Sequence, residues 1–111
     1  MTLKIDFSQP VFQKETACEI AVSDLDNFYA ASSDLDKSNL FFMLLTSSCH
    51  YENSGDFVTA AHLYFLTAYY LFVPLTPPGS YQLAMCYINK AVALNPISEY
   101  KEWLSLMEKG N

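Results

Sequence analysis

The stretch Gly79-Ser80-Tyr81-Gln82-Leu83-Ala84-Met85-Cys86-Tyr87-Ile88-Asn89-Lys90-Ala91-Val92-Ala93-Leu94-Asn95-Pro96 decides the fold class. Glycine opens it and proline closes it, the two residues that punctuate helices most strongly. Ala84 and Ala91 stand seven apart with Ile88 between them, so small residues recur on one helical side and let a neighbour come close. The spacing predicts a helix over 80–94, pressed against another helix and stopped at Asn95-Pro96.

Upstream, Val73-Pro74-Leu75-Thr76-Pro77-Pro78-Gly79 carries three prolines, which fix φ and remove backbone donors. No helix is expected to continue through it. Before it, Phe57 to about Val73 is apolar nearly all round, which predicts a helix lying between other helices. Asp56 is its expected N-cap, and Gly55 ends the preceding turn. Another helix is expected from about Ser38 to Asn53, with Leu40, Phe41, Leu44, Leu45, Ser48 and Tyr51 on one broad stripe. Val11, Cys18, Ala21, Val22, Leu25, Phe28 and Tyr29 also follow helical spacing, as one helix or as two broken near Ser23. The polar stretch from Ser33 to Ser38 reads as a loop with N-cap candidates. Leu3, Ile5 and Phe7 alternate ahead of Pro10, so residues 1–10 read as an extended arm or a short strand. Downstream, Ser98 is expected to cap a last helix running through Glu99, Trp103, Leu106 and Met107 to Gly110. Every strong signal after residue 11 is helical. The expected fold is all-α, a small bundle of about five helices in one domain over residues 1–111.

Composition fits such a domain. Hydrophobic residues are 51% of the chain against 16% charged, which excludes a disordered polymer. The aromatic share is 15%, much large-area surface for a protein of this length. The net charge is -6, with six lysines and no arginine. Nucleic-acid binding needs a positive footprint, so that class is not expected. Acidity suits a basic partner better. Cys18, Cys49 and Cys86 are odd in number and widely spaced, and are expected to be small buried hydrophobes in a reducing, cytoplasmic setting. The N-terminus has no basic region followed by an apolar run, so no signal peptide is expected. Phe57–Leu75 is long enough to raise the question of a membrane span. It holds His62, two threonines and three tyrosines, reaches Pro74, and has no flanking lysine or arginine, so a buried central helix is expected instead.

Two segments resemble the tetratricopeptide repeat. In the first, Leu44, Ser48 and Tyr51 lead to Gly55-Asp56-Phe57 at a turn, then to Ala60 and Tyr64, the family's large, small, aromatic, glycine, aromatic, small, aromatic order. Thr67 stands where alanine is usual and Phe72 where proline is usual. In the second, Gly79, Tyr81, Ala84, Ile88, Ala91 and Pro96 match the second-helix half of the motif. Gly55 and Gly79 are 24 residues apart rather than a full repeat length, so the resemblance covers one complete repeat and a fragment. The resemblance implies helical hairpins whose first-helix face takes a partner segment. On this chain that face would carry Phe42, Leu45, Cys49, Glu52 and Asn53. The alternative is that Phe42 and Leu45 are core, covered by the N-terminal helix.

No catalytic motif appears: no phosphate-binding glycine loop, no His-Glu-x-x-His and no Gly-x-Ser-x-Gly. Cys49 and His50 are adjacent, but neighbours on a helix point about 100° apart, so they do not make a dyad. Cys49, His50, His62 and Cys86 lack metal-ligand spacing, and no metal or cofactor is expected. His62 is expected to be a mostly buried, hydrogen-bonded histidine. Asp34, Asp36, Ser38 and Asn39 lack the glycine and closing glutamate of a calcium loop and read as capping residues. Tyr100 and Trp103 on the last helix form a second candidate partner patch. The function expected is non-catalytic protein binding, by a small cytoplasmic adaptor, chaperone or assembly factor that spans no membrane. The alternatives are a small-molecule or lipid carrier with an aromatic pocket between helices, and a structural homo-oligomer, of which a homodimer is the simplest form.

Overall fold

Most of the chain's punctuation becomes helix boundary. The computed structural model describes residues 3–110. Six α-helices follow in order: α1 Lys14–Glu19, α2 Val22–Ala31, α3 Asp34–Asn53, α4 Phe57–Tyr70, α5 Ser80–Leu94 and α6 Ser98–Glu108. No strand occurs among the described residues, so the fold is an all-α small bundle. Residues 1, 2 and 111, part of the expected single domain and in the first two cases of the expected arm, lie outside the described residues. Residues 3–6 have no regular secondary structure, and Asp6 accepts from Ser8 N at 3.0 Å where the chain turns.

Helix α4 is the axis of the bundle. From Thr59 to Tyr70 every residue except His62 is buried. Helices α3 and α5 each pack along it, α1 and α2 touch it from the N-terminal side, and α6 reaches its aromatics. Ala60, Ala84, Ile88 and Ala91 are fully buried, so close approach of α4 and α5 through small side chains accords with the sequence. Each large side chain removed from water here contributes about 1.5–3 kcal/mol. The polar atoms of α4 are satisfied by reaching back along the chain. His62 Nε2 donates to Ile20 O at 2.8 Å, Tyr70 Oη to Lys37 O at 2.7 Å, and Tyr69 Oη to the Asp26 carboxylate at 2.9 Å. Burial, with that carboxylate beside it, pushes the Tyr69 hydroxyl up to about 12. The segment Phe57–Leu75 has a mean hydropathy of 1.4, enough by length and composition to cross a membrane, and 67% of that window is buried inside the bundle.

Several boundaries differ from expectation for physical reasons. The first helical segment breaks at Ile20-Ala21, not near Ser23, because Asp24 Oδ2 accepts from Ala21 N at 2.8 Å and starts α2 there. Helix α3 begins at Asp34, so the stretch expected as a loop is its first turn. Ser33 Oγ caps it by accepting from Asp36 N at 3.2 Å. Asp56 caps α4 as expected, accepting from Thr59 N at 3.2 Å. Pro74 does not stop the helix outright, since Leu71–Leu75 form a π-helical turn that contains it. The wider turn opens the hydrogen-bond ladder where proline has no donor to offer, and Thr76 N closes it onto Leu71 O at 3.2 Å. Thr76 then adopts a left-handed φ of 42°, and Gly79, at φ 80°, starts α5. Ser98 is the first residue of α6 rather than its cap, which falls on Ile97.

The cysteine expectation fails. Cys18, Cys49 and Cys86 are all exposed free thiols. On α5 the buried line is Ala84-Ile88-Ala91, and Cys86 lies two residues from Ala84 and from Ile88, on the far side of the helix.

Candidate functional site

Helix α3 has two sides. Leu40, Met43, Leu44, Ser47 and Ser48 are buried. Ser48 Oγ returns its proton to Leu44 O at 2.7 Å, which keeps a hydroxyl satisfied inside the core. Ser47 Oγ instead accepts from Phe12 N at 2.9 Å, and Tyr51 Oη donates to Phe12 O at 2.7 Å. These two bonds clip the arm to α3 at Phe12, which is itself buried. Further back, Phe7 meets Phe28 of α2 edge to face at 6.1 Å. Between those anchors the arm stands off α3. Gln9 and Pro10 on one side and Asn39, Phe42 and Thr46 on the other leave a hollow of about 220 Å³. A second hollow of about 210 Å³ lies between the arm and α1.

The outward side of α3 is built on Leu35, Asn39, Phe42, Thr46, Cys49 and Asn53. Their spacing of four, three, four, three and four places them on one helical stripe. Leu35 is 71% exposed and Phe42 63% exposed, unusual for large apolar side chains so near one another. No residue from Leu40 to Tyr51 carries a formal charge.

The candidate residues divide. Phe42, Cys49 and Asn53 lie exposed on the stripe, so Phe42 is not core. Leu45 and Glu52, one turn pair apart, are half-buried on its edge. Glu52 joins three helices: Tyr64 Oη of α4 donates to its Oε1 at 2.7 Å, and Lys90 Nζ of α5 sits 3.0 Å from its Oε2. Those hydrogen bonds, from Tyr64 first and Lys90 second, hold the Glu52 carboxyl below its usual range. Burial, followed by the Glu52 and Cys49 hydrogen bonds, pushes the Tyr64 hydroxyl strongly upward. Cys49 Sγ lies 3.6 Å from Tyr64 Oη, and the Tyr87 ring stacks on Tyr64 at 6.0 Å. The cluster therefore holds a charged carboxylate against a firmly protonated phenol.

Tyr100 and Trp103 belong elsewhere. Tyr100 is 3% exposed and stacks on Phe65 at 5.1 Å, so it fastens α6 to α4 and presents no partner surface. Trp103 is half-buried, edge-on to Tyr69 at 5.2 Å. His50 packs edge to face on Tyr51 while Cys49 meets Tyr64, so the adjacent pair diverges. Among the described residues no group of three or more His, Cys, Asp or Glu side chains is arranged to hold a metal ion.

Sequence reasoning missed Leu35, Asn39 and Thr46, although their regular spacing from Phe42 was visible. It also missed Tyr64, Tyr87 and Lys90, which join Glu52 only through tertiary packing. Compared with known proteins, the chain matches no family model, no curated protein and no solved structure.

Proposed function

We propose that this protein is a non-catalytic interaction module, a small cytoplasmic adaptor, chaperone or assembly factor that holds a segment of another protein on the outward side of α3. The observation that carries the reading is the stripe itself: exposed Leu35 and Phe42 on an uncharged helix face, beside a hollow. Desolvating Phe42 in a partner's pocket supplies affinity, and the carboxylates at the start of α3, Asp34 and Asp36, orient the approach. We read the α3–α4 hairpin, with Ala60 and Tyr64 turned inward, as tetratricopeptide-repeat-like. The titratable cluster at Glu52 favours binding over catalysis, because its carboxylate and phenol are shifted away from neutrality in opposite directions. The hollows weigh against a carrier, since they fall short of the about 300–1,000 Å³ of a small-molecule pocket.

The test is a photo-crosslinking residue placed at position 42, with affinity capture from the native cell. A discrete crosslinked protein, lost from the Phe42→Asp variant, supports the reading. Capture that is indifferent to Phe42→Asp, or no crosslink at all, contradicts it.

A further inference from the structure

Helices α1, α2 and α3 all pack on α4, but neither α1 nor α2 packs broadly on α3. Between them runs a trough along the α3 line Met43-Ser47-Tyr51, residues four apart on one helical side. The N-terminal arm fills it. Leu3, Ile5 and Phe7 are partly buried against the core while Lys4 and Asp6 between them are exposed, Phe7 meets Phe28 of α2, and Phe12 is buried. The fit is incomplete. A hollow remains on each side of the arm, and Met43 and Gln9 line both, so the arm crosses above Met43 with space to either side. We propose that the arm is a strap: it occupies in cis a trough that takes an apolar segment of another protein, and the partner segment enters by replacing it. The inference goes beyond the outward stripe of α3, because the trough follows the line of Met43, Ser47 and Tyr51 and stays closed until the strap lifts.

Two features suit an exchangeable occupant. The first is how the strap is held. Ser47 Oγ accepts from Phe12 N at 2.9 Å and Tyr51 Oη donates to Phe12 O at 2.7 Å, so α3 grips the main chain of one residue by both of its polar groups. Any residue but proline offers the same pair, so this grip reads backbone, and selection falls to the apolar sites that take Leu3, Ile5, Phe7 and Phe12. The second is how little else holds it. Among the described residues, the hydrogen bonds made from Leu3 to Val11 are local: Ser8 N and Ser8 Oγ donate to Asp6 Oδ1, and Gln9 N to Asp6 O. A segment with so few anchors opens at a small part of the cost of global unfolding. The stretch of α3 beneath, Leu40 to Tyr51, carries no formal charge, so the guest it suits is uncharged at its inward positions. That guest is a segment of a different protein rather than the strap of a second copy. Gln13 alone separates Phe12 from α1, so an exchanged strap would bring two α1 helices almost into contact, whereas a free segment meets no such limit. The tether also sets the competition: a cis occupant acts at about millimolar effective concentration, so a guest wins by binding better or by arriving when the strap is up.

Hydrogen exchange on the unaltered full chain reads the strap directly. The Phe12 amide, bonded to Ser47, should exchange about a hundredfold or more faster than the buried amides of α4, by an opening that low urea leaves almost unchanged. A Phe12 amide that exchanges only together with α4 overturns the proposal, because the arm is then part of the cooperative core. The trough itself is probed with a fluorescent peptide of residues 3–13. Full-length Phe7→Ser/Phe12→Ser weakens the strap from its own side and should bind that peptide about tenfold or more tighter than the parent chain does, with a rise in Tm on saturation. Adding Tyr51→Phe removes half of the backbone grip and should weaken that binding about threefold or more. A folded variant that binds the peptide no better than the parent, or indifferently to Tyr51→Phe, overturns the proposal. Where the double substitution unfolds the chain, Phe7→Ser alone takes its place with the same expectation, and the exchange result stands on the unaltered protein. Light scattering that shows a concentration-dependent dimer dissolved by the peptide puts a second copy's strap in the trough and overturns the claim of a foreign guest. The photo-crosslink at position 42 needs no opening of the strap, so the two readings fail separately. Phe42-dependent capture by a chain whose Phe12 amide opens only globally leaves the proposed function standing without the strap, and a trough that opens and takes the peptide without such capture does the reverse.

Discussion

Replacing Phe65 by alanine tests what holds the C-terminal helix in place. Phe65 is 2% exposed and sits where α4 meets α6. Its ring stacks on Tyr100 at 5.1 Å and lies 6.2 Å from Trp103. Truncation removes the ring's burial and leaves a cavity, which costs about 3–5 kcal/mol for a core phenylalanine. The aromatic pairing with Tyr100 is worth about 0.5–1.5 kcal/mol beyond area alone, which favours the upper part of that range. With an unfolding entropy of about 2.1 cal/mol/K per residue, each kcal/mol is worth about 4 °C in a chain this size, so Tm should fall by about 12–20 °C. The assay is urea unfolding followed by circular dichroism and by tryptophan emission. Trp103 is the only tryptophan, so its fluorescence reports α6 alone. In the parent protein the two probes should give one midpoint. In Phe65→Ala both should move to lower urea, by about 2 M if the urea slope is near 2 kcal/mol/M. A loss under about 1 kcal/mol would refute the packing argument, because a collapsed or unoccupied α4–α6 contact is the one way to empty that site cheaply.

Asp56→Ala removes the α4 cap and the Asp56 bond to Thr59 Oγ1 at 2.8 Å, and should destabilise by about 1–2 kcal/mol, read by thermal unfolding. Acid should weaken the fold through two carboxyls. Glu52 is held below the ordinary glutamate value of 4.5 by its hydrogen bonds to Tyr64 and Lys90. At Asp56, burial pushes upward but the Thr59 and Lys14 hydrogen bonds outweigh it, leaving the group below 3.8. Both folded values lie under the unfolded ones, so the stabilisation is complete above those values and lost as pH falls through the folded ones. The urea midpoint should therefore drop as pH falls below about 4.5, and Glu52→Gln should remove part of the slope; a flat profile would contradict the network. All three thiols should react with a chromogenic disulfide reagent in the native protein, and a cysteine that reacts only after unfolding would contradict its exposure.

The parts of the fold that could be read from sequence are those set by local chemistry. Gly79 and Asn95-Pro96 bound α5 because positive φ and a missing donor act within a turn of themselves. Asp56 could be named as a cap for the same reason. The start of α3 could not, because Ser33 and Ser38 are both competent caps, and the first turn offers only Leu35 as an apolar marker, which faces water. Nothing local separates Phe42 from Phe41: one is exposed and the other half-buried, a difference set by tertiary packing. The cysteines misled because their side-chain chemistry suits burial equally well on any side of a helix, and only the position of α4 picks the side. Tyr100 misled in the opposite sense, since an aromatic near the C-terminus reads as spare surface until Phe65 is found beneath it.

The central place of α4 has a bearing on how the chain is made. Its coverings come from both directions, α1 to α3 from sequence already synthesised and α5 and α6 from sequence still to come. When α4 leaves the ribosome, one flank can dock at once, while the flank destined for Ala84, Ile88, Ala91 and Tyr100 waits bare. Premature termination before α5 and α6 thus strands an oily helix half-clothed.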